Sequence, residues 1–77
     1  MKFSPGDLLI TTEFLYGFNE ENGEWVKVPR GTRLINLVHY PSHFPSSDKI
    51  KVVLPTGVII WLDGWEEGYL ELLKGVE

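Results

Sequence analysis

Aromatic side chains are the residues of this chain whose type and spacing best suit a chemical role, and that role is binding. Tyr16 and Phe18 alternate in one short segment, and Trp65 and Tyr69 lie close together near the other end of the chain. Flat rings bind extended peptides because they offer a large contact area at a low cost in side-chain entropy. We therefore predict that these four rings form a protein-binding face. The alternative for each ring is burial, since a domain this small needs most of its aromatic residues for packing.

Acidic residues cluster in the loop that follows the first aromatic residues. Glu20, Glu21 and Glu24 lie in one short stretch and would form a negatively charged rim beside the rings. Such a rim attracts partners with a basic surface and contributes to specificity more than to affinity. The alternative is an ordinary solvated loop. Tyr40 and Phe44 are predicted as a secondary part of the protein-binding face.

Signals for catalysis or metal binding are weak in this sequence. His39, His43 and Asp48 could supply a metal site with two histidines and one carboxylate, but prolines interrupt the segment and no helix fixes the histidine spacing. No serine lies in a Gly-x-Ser-x-Gly turn. Segment 64–68 carries carboxylates where a phosphate would need backbone amides in a positive field. We therefore predict a protein that is not an enzyme and that has no cofactor or metal site.

Composition and charge restrict the class of protein further. The chain has 77 residues, of which 43% are hydrophobic, and it has no cysteine, which excludes a disulfide framework and a cysteine zinc site. No apolar run approaches the roughly 20 residues needed to span a bilayer, and the first residues lack the apolar core of a signal peptide. The net charge of −4 disfavours nucleic acid, whose phosphates require neutralisation. We expect one cytoplasmic domain over residues 1–77, with neutral or basic protein partners and no membrane contact.

Glycine and proline recur every few residues, and the segments between them are rich in Val, Ile, Leu, Thr and aromatic residues. This spacing is typical of short strands joined by turns. Turns are predicted at Asn22-Gly23, at 29–31 and at 55–57, and segment 63–68 is predicted as one 3₁₀ turn capped by Asp63. The five predicted strands are 7–14, 32–40, 49–54, 58–62 and 69–73.

The alternation of side chains assigns faces to several of these strands. In the third strand, Ile50, Val52 and Leu54 are expected to point inward. The second strand has apolar residues on both sides of Asn36, which indicates either a β-bulge or burial of both faces. Trp61, inside the fourth strand, is expected to pack in the core or against the second face. The expected core face of the first strand consists of Leu8, Ile10, Thr12 and Phe14.

Five strands in so short a chain must curl to hide their apolar side chains, which predicts an all-β, partly open small barrel. The segment Phe14-Leu15-Tyr16-Gly17-Phe18 resembles the Ala-Leu-Tyr-Asp-Tyr motif of Src-homology-3 domains, and Gly31, Thr56-Gly57 and Tyr69 resemble further positions of that family. The order of elements is also similar, with a long hairpin-like loop at 16–25, a tight hairpin, and a 3₁₀ turn before the last strand. The resemblance covers about residues 8–73 and implies a five-stranded Src-homology-3-like barrel, a fold used mostly for binding.

Two departures from that family concern the ligand. Members that bind proline-rich peptides carry a tryptophan after the n-Src loop, where this chain has Ser47-Asp48-Lys49-Ile50. They also carry a proline at the start of the 3₁₀ turn, where this chain has Asp63-Gly64-Trp65-Glu66. Two walls of the proline groove are therefore missing or rebuilt, with Trp65 as a possible replacement for one.

Together these observations predict a non-catalytic protein-binding module that acts as a small accessory subunit, adaptor or inhibitor of a larger protein. One alternative is self-association, because open strand edges invite pairing and segments 35–38 and 58–62 are apolar on both faces. A less favoured alternative is nucleic-acid binding through Lys27, Arg30 and Arg33, against which the net acidity counts.

Overall fold

The computed structural model describes residues 3–40 and 49–75, and at residues 39, 40, 64, 65 and 67 it describes the backbone alone. Within these residues the chain forms seven strands and a 3₁₀ helix at Gly64–Tyr69. The strands are β1 (Leu8–Thr11), β2 (Leu15–Asn19), β3 (Glu24–Val28), β4 (Arg33–Tyr40), β5 (Lys49–Val53), β6 (Ile59–Asp63) and β7 (Leu70–Lys74). They form one antiparallel sheet in the order β3-β2-β6-β5-β4-β1-β7. The all-β prediction is confirmed.

The sheet has seven strands where the sequence predicts five, and the difference lies in the predicted loop at 16–25. β2 and β3 pair residue by residue from Leu15↔Val28 to Asn19↔Glu24. Gly23 adopts a φ of 72°, and its N–H donates to the Asn19 carbonyl oxygen at 2.8 Å. This turn lets the two arms form a regular hairpin instead of an irregular one. In the part of the chain that the structure describes, β3 does not pair with β7, so hydrogen bonds do not close the sheet.

β4 contains a β-bulge and leaves the apolar residues of its outer face exposed. The register between β4 and β5 shifts between Asn36 and Val38. Ile35 and Leu37 remain 44% and 36% exposed, whereas Leu34 is buried. Of the two alternatives, burial of both faces is therefore wrong, and the β-bulge is present. Because a bulge bends its strand, β4 can pair with β1 along one part of its length and with β5 along the rest.

The hydrophobic core lies against one face of this single sheet. Its members come from all seven strands and the segments beside them, so the sheet must curl around its own inner face to bring them into contact. Ile50, Val52 and Leu54 are all buried, as the alternation predicts. The tight hairpin after β5 is also confirmed, because the Leu54 N–H donates to the Val58 carbonyl oxygen at 2.8 Å. The buried apolar residues are Phe3, Leu9, Leu15, Val28, Leu34, Ile50, Val52, Leu54, Ile60, Leu62 and Leu70.

β1 turns inward the face opposite to the one that the sequence predicts. Asp7, Leu9 and Thr11 are buried, while Leu8 and Ile10 are only half-buried. The prediction was wrong because it placed the polar residues outside, on the ground that an unpaired polar group is expensive to bury.

The buried side chains of Asp7 and Thr11 both have hydrogen-bond partners, which makes their burial possible. Asp7 Oδ2 accepts a hydrogen bond from the Ser4 N–H at 2.7 Å. The Thr11 hydroxyl donates to the Pro29 carbonyl oxygen at 2.7 Å and accepts from the Thr32 N–H at 2.9 Å. Thr11 thereby ties β1 to the turn between β3 and β4. Across residues 3–40 and 49–75, no helix has the length and apolar character needed to cross a membrane.

Candidate protein-binding groove

Among the described residues, four partly exposed aromatic rings line a groove of about 550 Å³ on the outer side of the sheet. They come from three segments of the chain. Phe14 immediately precedes β2 and Tyr16 lies on it, Trp25 lies on β3, and Tyr69 ends the 3₁₀ helix. Their exposed fractions are 53%, 49%, 66% and 37%, respectively. We call this feature the aromatic groove, and its volume is in the range of about 300–1,000 Å³ that is usual for binding sites.

The alternation of β2 explains how the rings reach the outer side. Leu15 and Gly17 face inward and are buried, so Tyr16 and Phe18 face outward. Gly17 also allows β2 to lie close to β6, because a Cβ atom at this position would be 2.3 Å from Ile60 Cδ1. The sequence places Phe14 on the core face, and this prediction is wrong, because Phe14 is exposed. β1 ends before it at Thr11, and the chain bends before the alternation resumes in β2.

Ring contacts hold several of these side chains in place. The Phe14 and Tyr16 ring centroids are 6.0 Å apart in an edge-to-face arrangement, and those of Phe18 and Trp25 are 5.2 Å apart. Lys27 Nζ lies 5.0 Å from the Phe14 centroid. Edge-to-face and cation–π contacts each contribute about 0.5–1.5 kcal/mol. The rings are therefore partly ordered before any partner binds.

A second hollow of about 580 Å³ adjoins the aromatic groove and shares Trp25 and Asp63 with it. Phe18 and Trp61 line this hollow together with Glu20. Trp61 Nε1 donates a hydrogen bond to Glu20 Oε2 at 2.6 Å, which joins the turn of the β2–β3 hairpin to β6. Trp25 thus stands between two aromatic hollows, and together they form one extended surface.

Carboxylates accompany the rings in the aromatic groove. Glu13, Asp63 and Glu66 contribute to its lining, and Asp63 forms an ion pair with Lys49. Glu66 is only 4% exposed, which places it at the floor. Its Oε1 accepts a hydrogen bond from the Asp63 N–H at 2.9 Å. The sequence assigns the cap of the 3₁₀ helix to the Asp63 side chain, but here Glu66 caps the Asp63 amide, which is the reciprocal half of a capping box.

Burial raises the pKa of the Glu66 carboxyl above its usual value, since desolvation disfavours the charged form. The negative charge of Asp63 raises that pKa as well. Backbone hydrogen bonds from Asp63 and Tyr16, and the positive charge of Lys49, act in the opposite direction. The floor of the groove therefore carries an acid whose desolvation outweighs its favourable contacts.

The predicted binding rings are distributed over the two hollows. Tyr16 and Tyr69 line the aromatic groove together, and Phe18 lies in the adjoining hollow. The side chain of Trp65 and the secondary positions Tyr40 and Phe44 fall outside the side chains that the structure describes. The role of these residues in binding stays a prediction.

The predicted acidic rim is divided in the same way. Glu20 lines the second hollow, where it accepts the hydrogen bond from Trp61. Glu21 and Glu24 are exposed at the tip of the β2–β3 hairpin, and neither lines the aromatic groove or the second hollow.

Sequence reasoning missed Phe14, Trp25 and Glu66 as parts of the groove. A signal for Glu66 was present, because an acidic residue three positions after a capping Asp63 is a capping-box pattern. The burial of Ile60 and Leu62 on β6 places Trp61 on the outer face, in agreement with its predicted packing against the second face.

The exposed rings of this surface suit contact with apolar groups, and its carboxylates suit contact with cationic groups. Within residues 3–40 and 49–75, no cluster of three His, Cys, Asp or Glu side chains could hold a metal ion. The histidine and aspartate side chains considered from the sequence, His39, His43 and Asp48, lie outside the described side chains.

Comparison of the chain with protein-family models, with curated proteins and with solved structures finds no match in any of the three.

Proposed function

We propose that this protein is a non-catalytic binding module that docks onto a protein partner through the aromatic groove, and that it acts as an accessory subunit, adaptor or inhibitor of a larger protein. The observation that carries the proposal is the convergence of Phe14, Tyr16, Trp25 and Tyr69 on one groove while all four remain substantially exposed. Contiguous exposed aromatic surface is unfavourable in water and commonly marks a protein interaction site. Aromatic residues also supply a large share of the binding energy at such sites.

The partner that we propose has a neutral or basic surface. Glu13 and Asp63 line the aromatic groove, and Glu20 lines the adjoining hollow. Lys49 offsets part of this charge through its ion pair with Asp63. The remaining carboxylates would repel an acidic segment and attract a basic one.

We further propose that the sheet is a variant of the Src-homology-3-like barrel. The order of elements supports this, because a hairpin (β2–β3) follows the first strand and a 3₁₀ helix precedes the last. The first and last strands also pair with each other, as β1 and β7. The two additional strands lie in the hairpin that occupies the place of that family's long loop.

Substitution of the groove tyrosines tests the binding proposal. Tyr16→Ala and Tyr69→Ala remove exposed ring surface, and each should weaken a central contact by about 2 kcal/mol or more, which is roughly 30-fold in affinity. The measurement uses a photo-crosslinker at position 25 to identify the partner in extracts of the native cell, followed by titration of that purified partner. Leu73→Ala is the matched control, because Leu73 is similarly exposed on β7. If both tyrosine variants are folded and bind the partner as tightly as the wild type, the groove assignment is wrong.

A second candidate function is self-association, and a row of apolar residues on the outer face favours it. Leu8, Ile35, Val53 and Ile59 are successive cross-strand partners on β1, β4, β5 and β6. Ile35 and Ile59 are the most exposed of the four. Sedimentation velocity at two concentrations, with Ile35→Glu as the comparison, tests this candidate. A wild-type chain that remains monomeric at the higher concentration would eliminate it.

A further inference from the structure

The sheet ends in two edge strands, β7 and β3, and they differ in how well they could pair with a further strand. The register between β7 and β1 is irregular and shifts between Leu8 and Leu9. Such a bulge twists an edge strand and is a common protection against association. β3 instead keeps a continuous register with β2 from Glu24 to Val28. Within residues 3–40 and 49–75, no strand covers the outer edge of β3, which therefore presents a regular strand edge.

β3 also carries apolar surface at this edge. Trp25 is the most exposed large apolar side chain of the described residues. Val26 is half-buried and packs against the core, and Lys27 Nζ lies 5.0 Å from the centroid of the Phe14 ring of its own chain. A regular edge strand with exposed apolar side chains is a template for pairing with another chain.

A second copy of β3 fits this edge in an antiparallel register centred on Val26. Val26 then lies opposite Val26 of the second copy, Trp25 lies opposite Lys27 in both directions, and Glu24 lies opposite Val28. Residues that face each other share one side of the sheet and one orientation of their backbone groups, as an antiparallel ladder requires. Each Trp25 ring meets a lysine side chain of the second copy, which is a favourable cation–π pair. The five residue pairs of this register set no like charges opposite each other.

The neighbouring registers that keep the faces matched are less favourable. Sliding one strand by two residues in one direction sets Lys27 opposite Lys27, and like charges directly opposite each other are destabilising. It also sets Trp25 opposite Pro29, which has no N–H to donate. Sliding in the other direction sets Lys27 opposite Gly23 in the hairpin turn and leaves only residues 24–26 paired. The sequence of β3 therefore favours the register centred on Val26.

We propose that β3 is a self-association edge, at which two copies of this chain join their sheets through the register centred on Val26. A second copy is the occupant that matches, because β3 is complementary to itself in both its faces and its charges. The interface is a single strand pair, so the dimer is a weak one. This inference goes beyond the proposed function and does not depend on it, since Tyr16 and Tyr69 take no part in the strand pair. It also uses a different surface from the outer-face row that contains Ile35.

Two measurements on the wild-type chain test the proposal without any variant. Sedimentation velocity should show dimers at chain concentrations of about 0.1–1 mM, as expected for a small interface. In an equimolar mixture of isotope-labelled and unlabelled chain, nuclear Overhauser contacts between copies should connect the Trp25 ring with Lys27. A chain that is still monomeric at about 1 mM, or contacts between copies that involve other residues, would overturn the proposal.

Two substitutions of the same exposed residue test the register. Trp25→Lys sets a lysine opposite Lys27 twice and should weaken dimerisation by about tenfold or more, whereas Trp25→Glu sets a carboxylate opposite Lys27 and should preserve the dimer. The double variant Trp25→Lys, Lys27→Glu should restore it. Equal weakening by Trp25→Lys and Trp25→Glu would show that Trp25 acts only as apolar surface, and the proposed register would be wrong.

The matched control is Ile35→Glu, which places a charge on an exposed strand residue outside β3. It should leave the dimer unchanged, and dissociation of the dimer by Ile35→Glu would assign the interface to the outer-face row instead. Loss of partner binding in a chain that still forms the β3 dimer would count against the proposed function alone.

Discussion

Replacement of Gly17 by alanine should destabilise the protein through a collision in the core. The added Cβ would lie 2.3 Å from Ile60 Cδ1, 2.9 Å from Cγ1 and 3.0 Å from Cβ. A change of side-chain rotamer can move the first two atoms, but Ile60 Cβ is fixed by its backbone. Because β2 and β6 are neighbouring strands of one sheet, relief requires these strands to separate.

The magnitude follows from two opposing effects. Overpacking of a well-packed core costs about 1–3 kcal/mol, whereas a glycine-to-alanine change at an unstrained φ gains about 0.4–1 kcal/mol by restricting the unfolded chain. The φ of Gly17 is not positive, so the gain applies and the net loss should be about 1–2 kcal/mol. For a domain of this size, that lowers the melting temperature by roughly 4–16 °C.

Urea denaturation followed by circular dichroism measures this loss, and a double-mutant cycle with Ile60→Val tests its cause. Ile60→Val removes Cδ1 and alone costs about 0.5–1.5 kcal/mol. In the Gly17→Ala background it should cost at least 0.5 kcal/mol less, because the collision is partly relieved. Gly68→Ala is the control, since an added Cβ there meets nothing within 4 Å. The reasoning is refuted if Gly17→Ala is as stable as Gly68→Ala, or if the cycle is additive.

Three further predictions concern buried polar groups and are each measured by urea denaturation. The Asn36 side chain is fully buried, and neither its Nδ2 nor its Oδ1 has a hydrogen-bond partner among the described residues. Asn36→Leu should therefore stabilise the protein by about 1–3 kcal/mol. A loss of stability would show that the amide contributes favourably. Thr11→Val should cost about 1–3 kcal/mol, because it removes the hydroxyl's hydrogen bond to the Pro29 carbonyl oxygen and leaves the Thr32 N–H with only its longer bond to that oxygen, at 3.3 Å. Thr12→Val, at a half-buried position, should cost much less. The raised pKa of Glu66 means that its contribution favours folding below pH 4.5 and is lost as pH rises through the folded pKa. The stability of the wild type should therefore fall relative to Glu66→Gln between pH 4 and 7, and parallel curves would contradict the assigned burial.

The alternation of side chains was a reliable guide where polar residues are exposed. In β5, Ile50 and Val52 alternate with lysines, and the predicted inward face is the observed one. At β1, Asp7 and Thr11 are buried because backbone groups supply their hydrogen bonds, from the neighbouring Ser4 for Asp7 and from the distant Pro29 and Thr32 for Thr11. Local alternation does not show these bonds, so the sequence assigned the wrong face.

The site was harder to predict than the core because it depends on pairing between separated segments. Tyr16 and Tyr69 were identified from their types and from the family resemblance, and both line the aromatic groove. Trp25 was missed because its exposure follows from the regular pairing of β2 with β3, which the sequence left as an irregular hairpin. Glu66 was missed because its burial depends on how closely the 3₁₀ helix approaches β2.

The groove lies where the β2–β3 hairpin meets the rest of the sheet, and this determines which substitutions should alter it. Its walls belong partly to a hairpin that contributes Leu15 and Val28 to the core and is otherwise held by one strand pair and by the Trp61–Glu20 hydrogen bond. That hydrogen bond is exposed, whereas the core cluster is apolar and drawn from every strand. Substitutions at the exposed hydrogen bond should shift the groove without unfolding the sheet, while substitutions in the core should lower global stability and groove order together. A variant such as Glu20→Ala, which removes the hydrogen bond from Trp61 Nε1 to Glu20, should accordingly alter exchange in the hairpin while leaving the urea midpoint nearly unchanged. A large drop in that midpoint would mean that the hairpin and the sheet unfold as one unit.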